Sequence, residues 1–134
     1  MWKAYPRHSV NLSAGCYSAV MRVLIHRKVL QGPQVEAFER HFADYIGVRH
    51  ALGVSSGRAA LYVALRALRF REGDEIIMPA YTFHIVPLVI KACGLKPVFV
   101  DVLPDTYNMD VSLVEKKITP KTKGILPTHM YGQP

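Results

Sequence analysis

His50-Ala51-Leu52-Gly53-Val54-Ser55 runs directly into Ser56-Gly57-Arg58-Ala59-Ala60-Leu61, and the character of the chain changes at the join. The first six residues read as a short strand. From Gly57 to Phe70 the apolar residues Leu61, Ala64, Leu65 and Leu68 recur at helical spacing, which predicts a helix with those four facing a core. Glycine at the join lets the backbone turn sharply. The first N–H groups of a helix have no internal acceptor and carry partial positive charge. Small residues followed by free N–H groups therefore make a cradle for a phosphate. The same residues also read as a plain helix cap. They match neither the P-loop nor the G-x-G-x-x-G fingerprint.

Toward the C-terminus the pattern repeats. Glu72-Gly73-Asp74 is a turn, Glu75 to Met78 a strand, and Pro79 its stop. Phe83 to Cys93 reads as a helix, although Pro87 counts against it. Gly94 closes that helix, and Lys96 to Val102 is a strand. Asp110 caps a short helix reaching Ile118, and Lys123 to Thr128 is a fourth strand. Toward the N-terminus, Gly47 ends a helix in which Val35, Phe38, Phe42 and Tyr45 share a face, and Pro33 suits its first turn. Gln31-Gly32-Pro33 separates it from a first helix, capped by Ser13, with Tyr17, Val20, Met21 and Leu24 on one side. Strands alternating with helices predict an α/β fold of βαβ units with a mostly parallel sheet. Ligands of such sheets bind beyond the carboxyl ends of the strands, here at Ser55-Ser56-Gly57, Pro79 to Phe83, Asp101 and His129.

With 134 residues, half of them hydrophobic, one small domain is the expectation, burying about two-thirds of its unfolded surface. The net charge of +7 is spread along the chain. Its tightest group, Arg66, Arg69 and Arg71, fits a solvated helix face or a patch for a phosphate-bearing partner. No RNA- or DNA-reading motif is present. Cys16 and Cys93 are lone thiols, which argues against a disulfide framework or a zinc site. His41 and Asp44 share a helix face, but no third metal ligand is evident. Met-Trp-Lys-Ala-Tyr-Pro has no apolar signal core, and no run approaches the ~18–20 apolar residues that span a bilayer. A cytoplasmic protein is expected.

Taken in order, these segments resemble the DegT/DnrJ/EryC1/StrS family of pyridoxal-phosphate (PLP) sugar aminotransferases. The resemblance runs through Gly32-Pro33, Phe38-Glu39, Phe42-Ala43, Ser55-Ser56-Gly57, Ala60-Leu61, Gly73-Asp74-Glu75, Pro79 and Tyr81-Thr82-Phe83. It continues through Gly94, Pro97-Val98-Phe99-Val100-Asp101, Ile118 to Lys123 and His129 to Pro134, covering about residues 30–134. It implies the N-terminal part of an aspartate-aminotransferase-like (fold type I) large domain with an incomplete sheet: a helical segment at 1–32, then a partial PLP-binding domain at 33–134. It implies pyridoxal 5'-phosphate as cofactor, a keto-sugar nucleotide and an amino donor as substrates, and a homodimeric assembly. By the same resemblance Ser56, Gly57 and Arg58 hold the phosphate, and Phe83, which taken alone reads as core, stacks on the pyridine ring.

The sequence departs from the family in places. Arg58 stands where threonine is usual, exchanging one neutral hydrogen-bond donor for a larger, charged fork. His84, Ile85, Val86 and Pro87 follow Phe83 where small or hydroxyl residues are usual. His84 reads as a substrate contact or as a surface residue, and His129 as facing the cofactor or as a loop residue. The family lysine, which bonds the cofactor and then shuttles protons, lies past the position matching Pro134. So does the aspartate that pairs with the pyridine nitrogen. No catalytic residue is assigned here: Lys116, Lys117, Lys121 and Lys123 sit in no matching context, and these residues by themselves are expected not to transaminate. Some members of the family instead catalyse dehydration, with histidine in place of that lysine. A non-catalytic remnant, or half of a split enzyme awaiting a complementary chain, is a further reading. In the family sheet the first strand pairs with the last, so the His50–Ser55 strand is expected to lack its neighbour here, leaving a marginal monomer or one that needs a partner chain.

Overall fold

The computed structural model describes residues 13–25 and 32–132. The chain divides into two compact units, Met1–Gly53 and Val54–Pro134.

The first unit is helical, with α1 at Ala14–Ile25 and α2 at Pro33–Ile46. Pro33 opens α2, where its missing N–H costs nothing. Gly47 ends it in the left-handed region (φ 77°). There the Gly47 N–H donates to the Ala43 carbonyl (2.9 Å) and the Val48 N–H to the same oxygen (2.9 Å), satisfying the helix's last acceptors. Both helices lie where the sequence predicts them, but most of the large apolar residues on their expected core faces are exposed. Tyr17, Val20, Met21 and Leu24 are exposed on α1, as are Phe38, Phe42 and Tyr45 on α2, and only Ala43 of α2 is buried. The Phe38 and Phe42 rings, one turn apart, pack on each other at 5.8 Å.

The expected strand at His50–Ser55 does not form. This stretch enters no ladder among the described residues. A strand exists only through its neighbour, because its N–H and C=O groups need partners across the gap. One of them is met otherwise: the Gly53 N–H donates to Glu39 Oε1 at 2.6 Å.

The second unit holds the sheet. Helix α3 (Gly57–Ala67) precedes β1 (Glu75–Pro79), followed by α4 (Ile85–Ala92), β2 (Lys96–Val100) and β3 (Thr122–Ile125). The three strands are parallel in the order β2-β1-β3, with Glu75 level with Lys96 and Thr122. β1 is central, and all five of its residues are buried. Successive side chains of a strand point to opposite faces, and each face of β1 finds a core. Ile76 and Met78 pack with Leu65 of α3, Ile90 of α4 and Leu95. Ile77 packs on the other side with Val100, Met109 and Val114. A parallel strand covered on both faces reads as a continuous apolar run, as Ile76-Ile77-Met78 does.

Several boundaries differ from the sequence reading. Strand β3 ends at Ile125, short of Thr128. Strand β2 ends at Val100, and Val102 instead bridges antiparallel to Met109. The helix expected from Asp110 to Ile118 is two 3₁₀ turns, Val111–Leu113 and Glu115–Lys117, with the Asp110 carboxylate accepting from the Ser112 N–H. On α3, Leu65 is buried and Leu61 half-buried, but Ala64 and Leu68, also expected to face the core, are exposed. Pro87 is tolerated because it is the third residue of α4, inside the turn whose N–H groups have no helical acceptor.

Candidate functional site

Ser56 is extended (φ −168°, ψ 163°) immediately before α3, and its Oγ accepts from the Ala59 N–H at 3.2 Å. Its carbonyl accepts from the Ala60 N–H at 3.0 Å. The N–H groups of Gly57 and Arg58, ahead of these two, find no acceptor among the described residues. A Cβ built at Gly57 meets nothing within 4 Å, so the space before the turn is open. The Arg58 guanidinium makes no ion pair or hydrogen bond among the described residues. One helix start thus presents two free donors and a cation.

Phe83 lies in the loop between β1 and α4. It is 62% exposed, so it is no core residue. Its ring meets that of His84 at 4.6 Å, tilted by 59°. The adjacent Thr82 Oγ1 lies 2.9 Å from Thr128 Oγ1, linking this loop to the segment after β3. Tyr81 packs on Tyr107 from the segment after β2 (5.6 Å between centroids), and hydrogen bonding with Tyr131 pushes its phenol above the ordinary value.

A cavity of about 270 Å³ joins these features. Ser56, Gly57 and Arg58 line one part of it; Phe83, Leu61, Ile85, Val86 and Val89 line the rest. The structure therefore brings together all four residues singled out as cofactor ligands. The start of α3 and the aromatic and apolar residues of the β1–α4 region thus border one mostly apolar space. His84 abuts Phe83 but does not line the cavity, nor do His129 and Asp101. The Asp101 carboxylate accepts from the Val102 N–H (2.9 Å). Arg66 and Arg69 line a separate cavity of about 260 Å³ beside Phe70 and Cys93.

Sequence reasoning missed Thr128, Tyr107 and Asn108. The Asn108 side-chain oxygen accepts from the Met130 N–H at 3.1 Å. Tyr107 (φ 58°) and Tyr131 (φ 55°) are left-handed, a conformation that side chains bearing a Cβ rarely adopt. No local pattern signals such pairings, because the partners lie in different crossovers.

The profile of one family, the DegT/DnrJ/EryC1/StrS aminotransferases, matches residues 12–134. The chain belongs to that family. Among its curated relatives is dTDP-3-amino-3,4,6-trideoxy-alpha-D-glucose transaminase of Streptomyces venezuelae, 45% identical over 123 residues, which are 92% of this chain and 32% of that protein. Solved structures agree. S. venezuelae DesV superposes with a TM-score of 0.83 at 45% identity, over 90% of this chain and 33% of that one. Escherichia coli GDP-4-keto-6-deoxy-D-mannose-3-dehydratase with bound hydrated PLP gives 0.82 at 32% identity, over 92% and 33%. The fold is accordingly part of a fold type I large domain, and this DegT/DnrJ/EryC1/StrS chain spans about a third of the length of the relatives it matches. Among the described residues no helix is long and apolar enough to cross a membrane.

Proposed function

We propose that these residues form the phosphate-gripping and ring-facing part of a PLP site in a sugar aminotransferase. The whole protein passes an amino group from an amino donor to a keto-sugar nucleotide. The observation that carries this reading is one cavity lined both by Phe83 and by Gly57 and Arg58, whose N–H groups find no acceptor among the described residues. The residues fit the cofactor on three counts. The donors and the Arg58 cation suit a dianionic phosphate. The open space at Gly57 lets it approach the backbone. The Phe83 face suits a pyridine ring. The domain at 33–134 is read as the partial cofactor-binding domain.

PLP, when bound, supplies the electron sink for amino-group chemistry. The rest is the work of this chain's residues. The Gly57 and Arg58 N–H groups bind the phosphate, while Ser56 caps the helix and so keeps them aimed. Phe83 would face the ring, and Leu61, Val86 and Val89 would give it an apolar surrounding. The lysine and aspartate of the family resemblance belong to the part matching the relatives' remaining two-thirds. Transamination is favoured over dehydration because the 45% identity to a transaminase exceeds the 32% identity to a dehydratase.

The test is titration of the purified chain with PLP and, separately, with inorganic phosphate. Arg58→Ala is expected to weaken both by about tenfold or more, the scale of a charge-assisted hydrogen bond. Phe83→Ala is expected to weaken PLP by about two- to tenfold, the scale of aromatic stacking, and to leave inorganic phosphate unchanged. Wild-type affinities in both variants would refute the reading. In a protein carrying the complete domain, amino transfer from glutamate to a keto-sugar nucleotide is the activity to assay.

A further inference from the structure

We infer that the Thr82–Thr128 hydroxyl pair is a positioning device that fixes Phe83 in the lining of the cavity. This rests on the cofactor reading above for its purpose, but not for its geometry. Phe83 is more exposed than buried, so packing alone does not fix its ring. Nor does the backbone: no N–H of residues 81–84 finds an acceptor among the described residues. The loop is tied at its two ends, where the Ala80 N–H donates to the Val100 carbonyl (2.7 Å) and the Phe83 carbonyl accepts from the Val86 N–H (2.9 Å). Between those ends, side chains hold it. On the β3 side, Thr82 Oγ1 and Thr128 Oγ1 share a half-buried hydrogen bond of 2.9 Å across 46 positions of sequence. On the β2 side, Tyr81 leans on Tyr107. Thr82 immediately precedes Phe83 in the chain, and neither threonine lines the cavity. Thr82 and Thr128 thus act through Phe83, not on the cofactor.

The experiment uses isosteric Thr82→Val and Thr128→Val variants of the purified chain, with Thr128→Ser as the variant that keeps the hydroxyl. The first readout needs no cofactor. Phe83 packs on His84, so its ring current shifts the His84 imidazole protons in the NMR spectrum. Both valine variants should move those protons toward their unstructured values, and Thr128→Ser should restore them. The second readout is the PLP dissociation constant. Each valine variant should raise it about three- to tenfold, the scale of one lost hydrogen bond, and the double variant no further than either single one. In a Phe83→Ala background the same changes should cost nothing, and inorganic phosphate binding should be untouched throughout. His84 shifts unmoved by Thr128→Val overturn the inference even if PLP binds. So does a loss of affinity that persists without Phe83. A wild-type chain that binds no PLP refutes the cofactor reading, and with it the purpose of the pair.

Discussion

Ser56 and Gly57 separate two demands on the start of α3, that the helix be capped and that its first N–H groups remain approachable. The Ser56 Oγ accepts from the Ala59 N–H, a contact whose loss costs about 1 kcal/mol. Gly57 makes no close contact that a methyl group would disturb, and its φ is not among the positive ones. Alanine at that position is therefore acceptable to the fold, but on the proposed function it stands in the path of the phosphate. Ser56→Ala is expected to lower stability by about 1 kcal/mol in urea denaturation. Gly57→Ala should leave stability within about 0.5 kcal/mol of wild type and still weaken inorganic phosphate binding about tenfold. A Gly57→Ala chain that binds phosphate normally would place the anion elsewhere. The turn was legible because its chemistry is local: serine, glycine and a helix start are adjacent in sequence. The exposure of Phe83 was not legible from its own surroundings, and its assignment to the ring comes from the family resemblance. An isolated phenylalanine beside a strand is more often core, and its exposure depends on neighbours that the local sequence does not specify.

Among the elements, β1 is tied on both sides through one side chain. Glu75, at the start of the central strand, accepts from Thr119 Oγ1 with one oxygen (2.6 Å) and from Lys96 Nζ with the other (3.0 Å). It thereby fastens the starts of both flanking strands. The Thr119 hydrogen bond, followed by that of Lys96, lowers its pKa below the usual carboxylate value. A carboxylate with a lowered folded pKa stabilises the fold fully above its unfolded value, about 4.3 for glutamate. That contribution is lost as pH falls through the folded value. Glu75→Gln is accordingly expected to lower the urea midpoint at pH 7 and to flatten its fall below about pH 4; an acid limb identical to wild type would remove Glu75 from the account. The strands around it could be read from sequence because each is an apolar run bounded by glycine, proline or a charged turn. The His50–Ser55 stretch has the same local character and makes no strand, since pairing is a property of two segments. The Thr82–Thr128 bond was illegible for the same reason.

For the chain as a whole, surface exposure and charge act in opposite directions. Many large apolar side chains are exposed, among them Leu68, Leu88, Phe99 and Ile125. Strands β2 and β3 each have a free edge among the described residues. Each large apolar side chain left in water forfeits about 1.5–3 kcal/mol, while a domain's whole margin is about 5–15 kcal/mol. A sheet with open edges is a template for further pairing. Against this stands the net charge of +7, which keeps copies apart while it is unscreened. The chain is therefore expected to self-associate as concentration rises, and more readily in salt as the Debye length falls from about 30 Å at 0.01 M to about 8 Å at 0.15 M. Ile125 is half exposed on the edge strand β3, and Ile125→Lys puts a charge at that edge. Sedimentation velocity should record a weight-average coefficient that climbs with concentration and salt for the wild type, and climbs less for Ile125→Lys. A chain that stays monomeric at high salt and melts in one sharp transition would mean that the exposed faces cost less than their area implies, and that the three strands are sufficient by themselves.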